Sequence, residues 1–67
     1  MPQITLKAAR VNANLSQKEA AETLGIAPST LRNWEAGKTL PKQDQIVALC
    51  LLYGVNYDNI FFGRKLA

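Results

Sequence analysis

The stretch LSQKEAAETLGIAPSTLRNWEAGK, residues 15–38, decides how this chain folds. Ser16-Gln17-Lys18-Glu19 fits a capping box, in which the Ser16 side chain accepts from an amide of the first helical turn and Glu19 reaches back to the cap. The helix so started stops after Leu24, because Gly25 supplies the positive φ of a helix-ending residue at no steric cost. Only Ile26 and Ala27 separate Gly25 from Pro28. Proline suits the first position of a helix, where its missing N–H would be unpaired anyway, so a second helix over 28–36 follows at once and ends at Gly37. Two helices joined by so short a turn cross steeply instead of packing side by side. Ala21 is small enough for their closest approach, and Ile26, Leu31 and Trp34 fill the wedge between them. On the second helix Leu31, Trp34 and Glu35 turn one way and Ser29, Arg32 and Asn33 the other, leaving a wholly polar outer face.

Outward from this unit, Pro41, Gly54 and Gly63 continue the punctuation, and no period-2 alternation supports a strand. Thr5 caps a helix to about residue 13, with Leu6, Ala9 and Ala13 on one face. A helix over 42–53 carries Ile46, Leu49, Cys50 and Tyr53 as an i, i+3, i+4, i+7 stripe, with Val47, Leu51 and Leu52 in excess of it. Asn56 caps a short fifth helix over 57–62, and 63–67 reads as a flexible tail. The expected fold is all-α, a compact bundle of five helices with no sheet, in a single domain over 1–67.

Composition narrows the function. A chain of 67 residues leaves room for one domain, and 48% apolar against 19% charged residues is too hydrophobic for a disordered tail. There is no histidine, one cysteine and five carboxylates, so the usual parts for nucleophilic or acid–base catalysis are nearly absent and an enzyme is not expected. The same counts rule out a disulfide within the chain and a Cys/His metal site; neither a metal nor another cofactor is expected. No apolar run is long enough to span a membrane and no charged-then-apolar leader precedes the first helix, so a cytoplasmic protein is expected. The net charge of +3 favours a polyanionic partner, but setting aside Arg64 and Lys65 leaves six basic residues against five acidic. The placement of the charges matters more than their number.

As a joint pattern, these residues resemble the phage Cro/cI-type helix-turn-helix repressors, also called the XRE family. The carriers are Leu15-Ser16-Gln17-Lys18-Glu19-Ala20-Ala21, Leu24-Gly25-Ile26, Ser29-Thr30-Leu31-Arg32-Asn33-Trp34-Glu35-Ala36-Gly37-Lys38, Pro41 and Tyr53-Gly54-Val55. They cover almost the whole chain. The resemblance implies a lambda-repressor-like domain of five helices that binds operator DNA as a dimer, its third helix being the recognition helix. It also implies that Arg10 and Glu35 pair to link the first helix to the third, and that Gln17 meets a phosphate. The sequence departs from the family at Pro28, which stands at a typically polar base-contacting position, at Leu40 and Pro41, which leave the following connection less basic, and at Leu51, where a charge is common.

The residue chemistry agrees with that expectation. A helix about 10–12 Å across fits a major groove about 12 Å wide if its exposed face is short, polar and not acidic. Arg32 can fork onto guanine O6 and N7, Asn33 can pair with adenine N6 and N7, Ser29 can donate or accept, and Pro28 can touch a thymine methyl. Ser16, Gln17, Lys38, Thr39 and Lys42 form a candidate phosphate strip, the first two at the positive end of a helix dipole. A carboxylate at Glu35 needs a neutralising partner beside DNA, and Arg10 is the candidate; otherwise Arg10 is free for a phosphate. Trp34 and Cys50 read as packing, against base stacking and thiol chemistry as alternatives. Leu51, Tyr57 and Phe61 suit either core or a dimer surface. The function expected is sequence-specific binding of double-stranded DNA by a small phage or prophage regulator acting as a dimer on a near-palindromic operator. An antitoxin or other protein-interaction module on the same fold is the competing reading.

Overall fold

The computed structural model describes residues 4–61 and has the order β1 (Ile4–Thr5), α1 (Leu6–Asn12), α2 (Gln17–Leu24), α3 (Pro28–Glu35), α4 (Gln43–Tyr53), a 3₁₀ turn (Tyr57–Asn59) and β2 (Ile60–Phe61). Local chemistry places the helix starts. The Thr5 hydroxyl accepts from the Ala8 amide at 3.0 Å, Ser16 Oγ accepts from Glu19 N, and Glu19 Oε1 accepts from Ser16 N, which completes the capping box. Ser16, through its backbone amide first and its side chain second, holds the Glu19 carboxyl below its ordinary pKa. Pro28 opens α3 with no side-chain cap.

The helix ends follow one chemistry as well. After α2, Ile26 N donates to Ala21 O and Gly25 N to Glu22 O, the paired bonds that close a helix around a left-handed residue. Gly25 takes φ +72° while a Cβ there would meet nothing within 4 Å, so backbone conformation and not crowding demands glycine. Asn14, at φ 61°, plays the same part after α1, a role asparagine tolerates better than other side chains.

The core joins all four helices to β2. Leu6 and Ala9 of α1, Ala20 and Ala21 of α2, Leu31 and Trp34 of α3, Leu49 and Tyr53 of α4 and Ile60 are buried together. Ala20 and Ala21 are wholly enclosed, which is what lets α2 and α3 cross closely at the turn. Cys50 is only half-buried at the edge of this core; burial pushes its thiol pKa up, away from thiolate chemistry.

Two expectations are corrected here. The fifth helix expected over 57–62 does not form over 57–61, so the described residues hold four α-helices, and the expected absence of a sheet is overturned. One 3₁₀ turn follows Asn56, and the chain then straightens so that Ile60 pairs with Ile4 and Phe61 with Thr5 in a parallel two-stranded sheet. The physical reason is burial: Ile60 is 4% exposed, and the extended path carries it under the start of α1. The side chain of Phe61, the tail expected over 63–67 and Phe62 lie outside the described residues.

Candidate nucleic-acid interface

Burial of one face of α3 creates the site on the other. Leu31 is fully enclosed and Trp34 is 4% exposed, which assigns the tryptophan to packing. Pro28, Ser29 and Arg32 are exposed on the opposite side, and Asn33 is half-buried at its margin. Among the described residues, no hydrogen bond or ion pair engages the side chains of Ser29, Arg32 or Asn33. The result is an eight-residue helix with a polar outer edge and one unneutralised cation, Arg32.

Glu35 lies at the end of the same helix, yet its charge is not presented to solvent. Arg10 Nε donates to Glu35 Oε2 at 2.7 Å, with the two side chains 9% and 5% exposed. A second, longer bond runs from Arg10 Nη2 to Glu35 Oε1 at 3.4 Å. Arg10 Nη1 donates to the Leu15 carbonyl at 2.8 Å, which fastens the α1–α2 connection to the same pair. The guanidinium fork thus holds a carboxylate and a backbone oxygen at once, the geometry that suits arginine better than lysine.

Two participants in this cluster were not visible in the sequence. Gln17 Nε2 donates to Glu35 Oε1 at 3.0 Å, so the amide assigned to phosphate is engaged with α3. Tyr53 of α4 comes close enough for its hydroxyl to feel both charges. Burial, reinforced by the Glu35 carboxylate and partly offset by Arg10, pushes the Tyr53 pKa up to about 12. The buried hydroxyl has no hydrogen-bond partner among the described residues. Linear spacing signals neither neighbour, because both reach the pair through tertiary packing.

Tyr53→Phe is therefore expected to raise stability by about 1 kcal/mol at neutral pH, since it removes a desolvated, unpaired group. It also removes a pH dependence. An unfolded tyrosine ionises near pH 10 while the folded one resists to about pH 12, so its contribution is complete below about pH 10 and falls as pH rises between those values. Urea midpoints of both proteins at neutral and alkaline pH check this.

The remaining candidates flank α3. Ser16, at the start of α2, is exposed with its Oγ accepting from Glu19 N, and the Gln17 backbone opens the helix beside it. Lys38, Thr39 and Lys42 are exposed in the connection from α3 to α4, where Lys42 N is capped by Gln45 Oε1 at 2.7 Å. Away from this edge, Leu51 is 79% and Tyr57 54% exposed, beside a shallow apolar groove. No helix among the described residues is long and apolar enough to cross a membrane, and none of their His, Cys, Asp or Glu side chains form a metal-holding group of three or more.

Comparison with known proteins agrees with this geometry. The chain is 43% identical over 53 residues to the HTH-type transcriptional regulator ImmR of Bacillus subtilis (strain 168), a match covering 79% of this chain and 42% of that one. It is 39% identical over 49 residues to the type II methyltransferase M1.ScrFI of Lactococcus lactis subsp. cremoris, covering 69% of this chain and 13% of the enzyme. The chain thus spans less than half the length of either relative. No solved structure matches it. Residues 6–60, which take in all four helices and the turn between α2 and α3, match the helix-turn-helix family model, and the chain belongs to that family, in its XRE-type form.

Proposed function

We propose that this chain is the sequence-specific, double-stranded-DNA-binding unit of a small transcriptional regulator, of the kind found in phages and prophages, with α3 in the major groove. The observation that carries the reading is the outer edge of α3: Pro28, Ser29 and Arg32 exposed, with the nearby carboxylate of Glu35 buried against Arg10. A bare polar edge on a helix whose acidic residue is neutralised is what a groove lined by base edges and phosphates requires. Arg32 and Asn33 read bases, Ser29 and Pro28 trim the preference, and Ser16, the Gln17 backbone, Lys38, Thr39 and Lys42 hold phosphates on either side.

The methyltransferase relative does not transfer its reaction, because the match takes in only 13% of that enzyme. An enzyme reading has no support in the candidate site, whose side chains bind and orient but offer no nucleophile–base pair.

The unit acts as a homodimer on a near-palindromic operator. The groove between α4 and the 3₁₀ turn, where Ile46, Val47, Cys50, Leu51, Val55 and Tyr57 meet, offers the apolar surface for a second copy. With extents of 32 × 22 × 19 Å, two copies touching edge to edge can place their α3 helices about 34 Å apart, the spacing of successive major grooves. Leu51→Glu is expected to leave the fold intact, since its side chain is 79% exposed, while shifting sedimentation toward monomer and abolishing cooperative occupation of two half-sites.

Fluorescence anisotropy with labelled duplexes at rising salt tests the reading. If Lys38 and Lys42 each neutralise a phosphate, log K should fall against log salt with a slope of about −1.8 per subunit. Absence of duplex binding at low salt, together with a stable complex with another protein, would favour the antitoxin or interaction-module reading.

A further inference from the structure

Two segments of chain close on the Glu35 carboxylate, and Arg10 holds a third. Arg10 of α1 donates to Oε2 at 2.7 Å, Gln17 of α2 donates to Oε1 at 3.0 Å, and Arg10 holds the carbonyl of Leu15 just before Gln17. The Glu35 side chain is 5% exposed, so these donors face little competition from water. Gln17 stands at the end of α2 expected to meet a phosphate, yet its amide nitrogen is already committed to α3.

We propose that Gln17 is a positioning residue of the recognition helix: its side chain ties the α2 N-terminus to the C-terminal end of α3, so the phosphate gripped by the α2 backbone sets the tilt of α3 in the groove. This rests on the DNA-binding reading above and assigns the Gln17 side chain a task other than phosphate contact. Ser29 lies six residues before Glu35. At 1.5 Å per residue that is a lever of about 9 Å, and a pivot of about 10° at Glu35 displaces Ser29 by about 1.5 Å. The useful range of hydrogen-bond lengths spans only about 0.5 Å, so such a tilt breaks base contacts. Glutamine suits the task because it is a neutral donor. A lysine there would set a second cation against one carboxylate, whereas the amide leaves the Arg10–Glu35 charges balanced.

Phosphate contact and positioning have different signatures. Loss of a phosphate contact weakens binding to every duplex alike, because phosphates carry no sequence information. Loss of positioning weakens binding only where α3 reads bases. The test uses Gln17→Met, which has similar length and no donor, and Gln17→Asn, which keeps the amide but is too short to reach Glu35. Each is measured against three probes: the duplex that the wild-type chain enriches from a random pool, a base-substituted version of it, and an unrelated duplex. The expected result is a loss of about tenfold on the enriched duplex, with the other two changed by less than about twofold and the salt slope unaltered. Both variants should unfold cooperatively on heating. An equal loss on all three probes would return Gln17 to phosphate contact, and no loss on any would make it a bystander; either overturns the proposal. Failure of the wild-type chain to enrich any duplex would instead overturn the DNA-binding reading, and the positioning role with it.

Discussion

Replacing Glu35 with alanine is expected to cost about 3–5 kcal/mol of folding stability, because it leaves the Arg10 guanidinium buried without its counter-charge. Arg10 has 7% of its surface exposed and cannot reach water without disturbing α1, whose Ala9 is wholly enclosed beside it. The Gln17 amide loses its acceptor at the same time. A domain of this size has a total stability of roughly 3–10 kcal/mol, so the variant should be largely unfolded at 37 °C, which a urea titration followed by circular dichroism will detect. The double variant Arg10→Met, Glu35→Leu should regain much of the loss, since apolar side chains of similar volume replace buried ion pairs at little cost. It should not regain DNA discrimination, because the Gln17 amide still lacks the acceptor that ties α2 to the end of α3. Together these results would show the pair contributing more to the orientation of α3 than to the net stability of the fold.

Arg32→Ala is expected to remove about 1–3 kcal/mol of discrimination at the base pair its guanidinium reads, and to do so with no change in folding stability. Arg32 is exposed on α3 and has no partner among the described residues, so no buried group loses a contact when it is cut back. The variant should bind its preferred duplex and a version substituted at that base pair almost equally, while the salt slope falls by no more than about 0.9, one phosphate-equivalent charge. Competition titrations with the two duplexes and a thermal melt of the variant check both halves. A variant that melts at a lower temperature would place Arg32 in the fold instead of in readout.

The helix boundaries were legible because capping is chemistry between near neighbours. Thr5, Ser16 with Glu19, Gly25 and Gly54 each act within four or five residues of their partners, and the structure puts each at the end the sequence assigns to it. The stripe on α4 was legible in the same way: Leu49 and Tyr53 are buried, and Ile46 and Cys50 flank them half-buried. The end of the chain was not legible. Whether 57–62 coils or straightens depends on Ile4, which pairs with Ile60 from the opposite end of the described chain, and a strand of two residues has no periodicity to read. At the candidate site, the polar edge of α3 followed from helical spacing, whereas the neighbourhood of Glu35 did not. Its proximity to Arg10 came from resemblance to a family. The contact from Gln17, 18 residues away, arises only because the turn at Gly25 folds α2 back across α3.

Base reading by α3 is tested most directly by incubating the purified chain with a pool of random duplexes, recovering what it retains at physiological salt, and sequencing the result. Two half-sites in near-palindromic arrangement are expected, their centres about one helical turn apart, each losing its preference at one base pair when Arg32→Ala replaces the wild type. A recovered pool as random as the one supplied, or a motif that the Arg32→Ala chain retains unchanged, would contradict it.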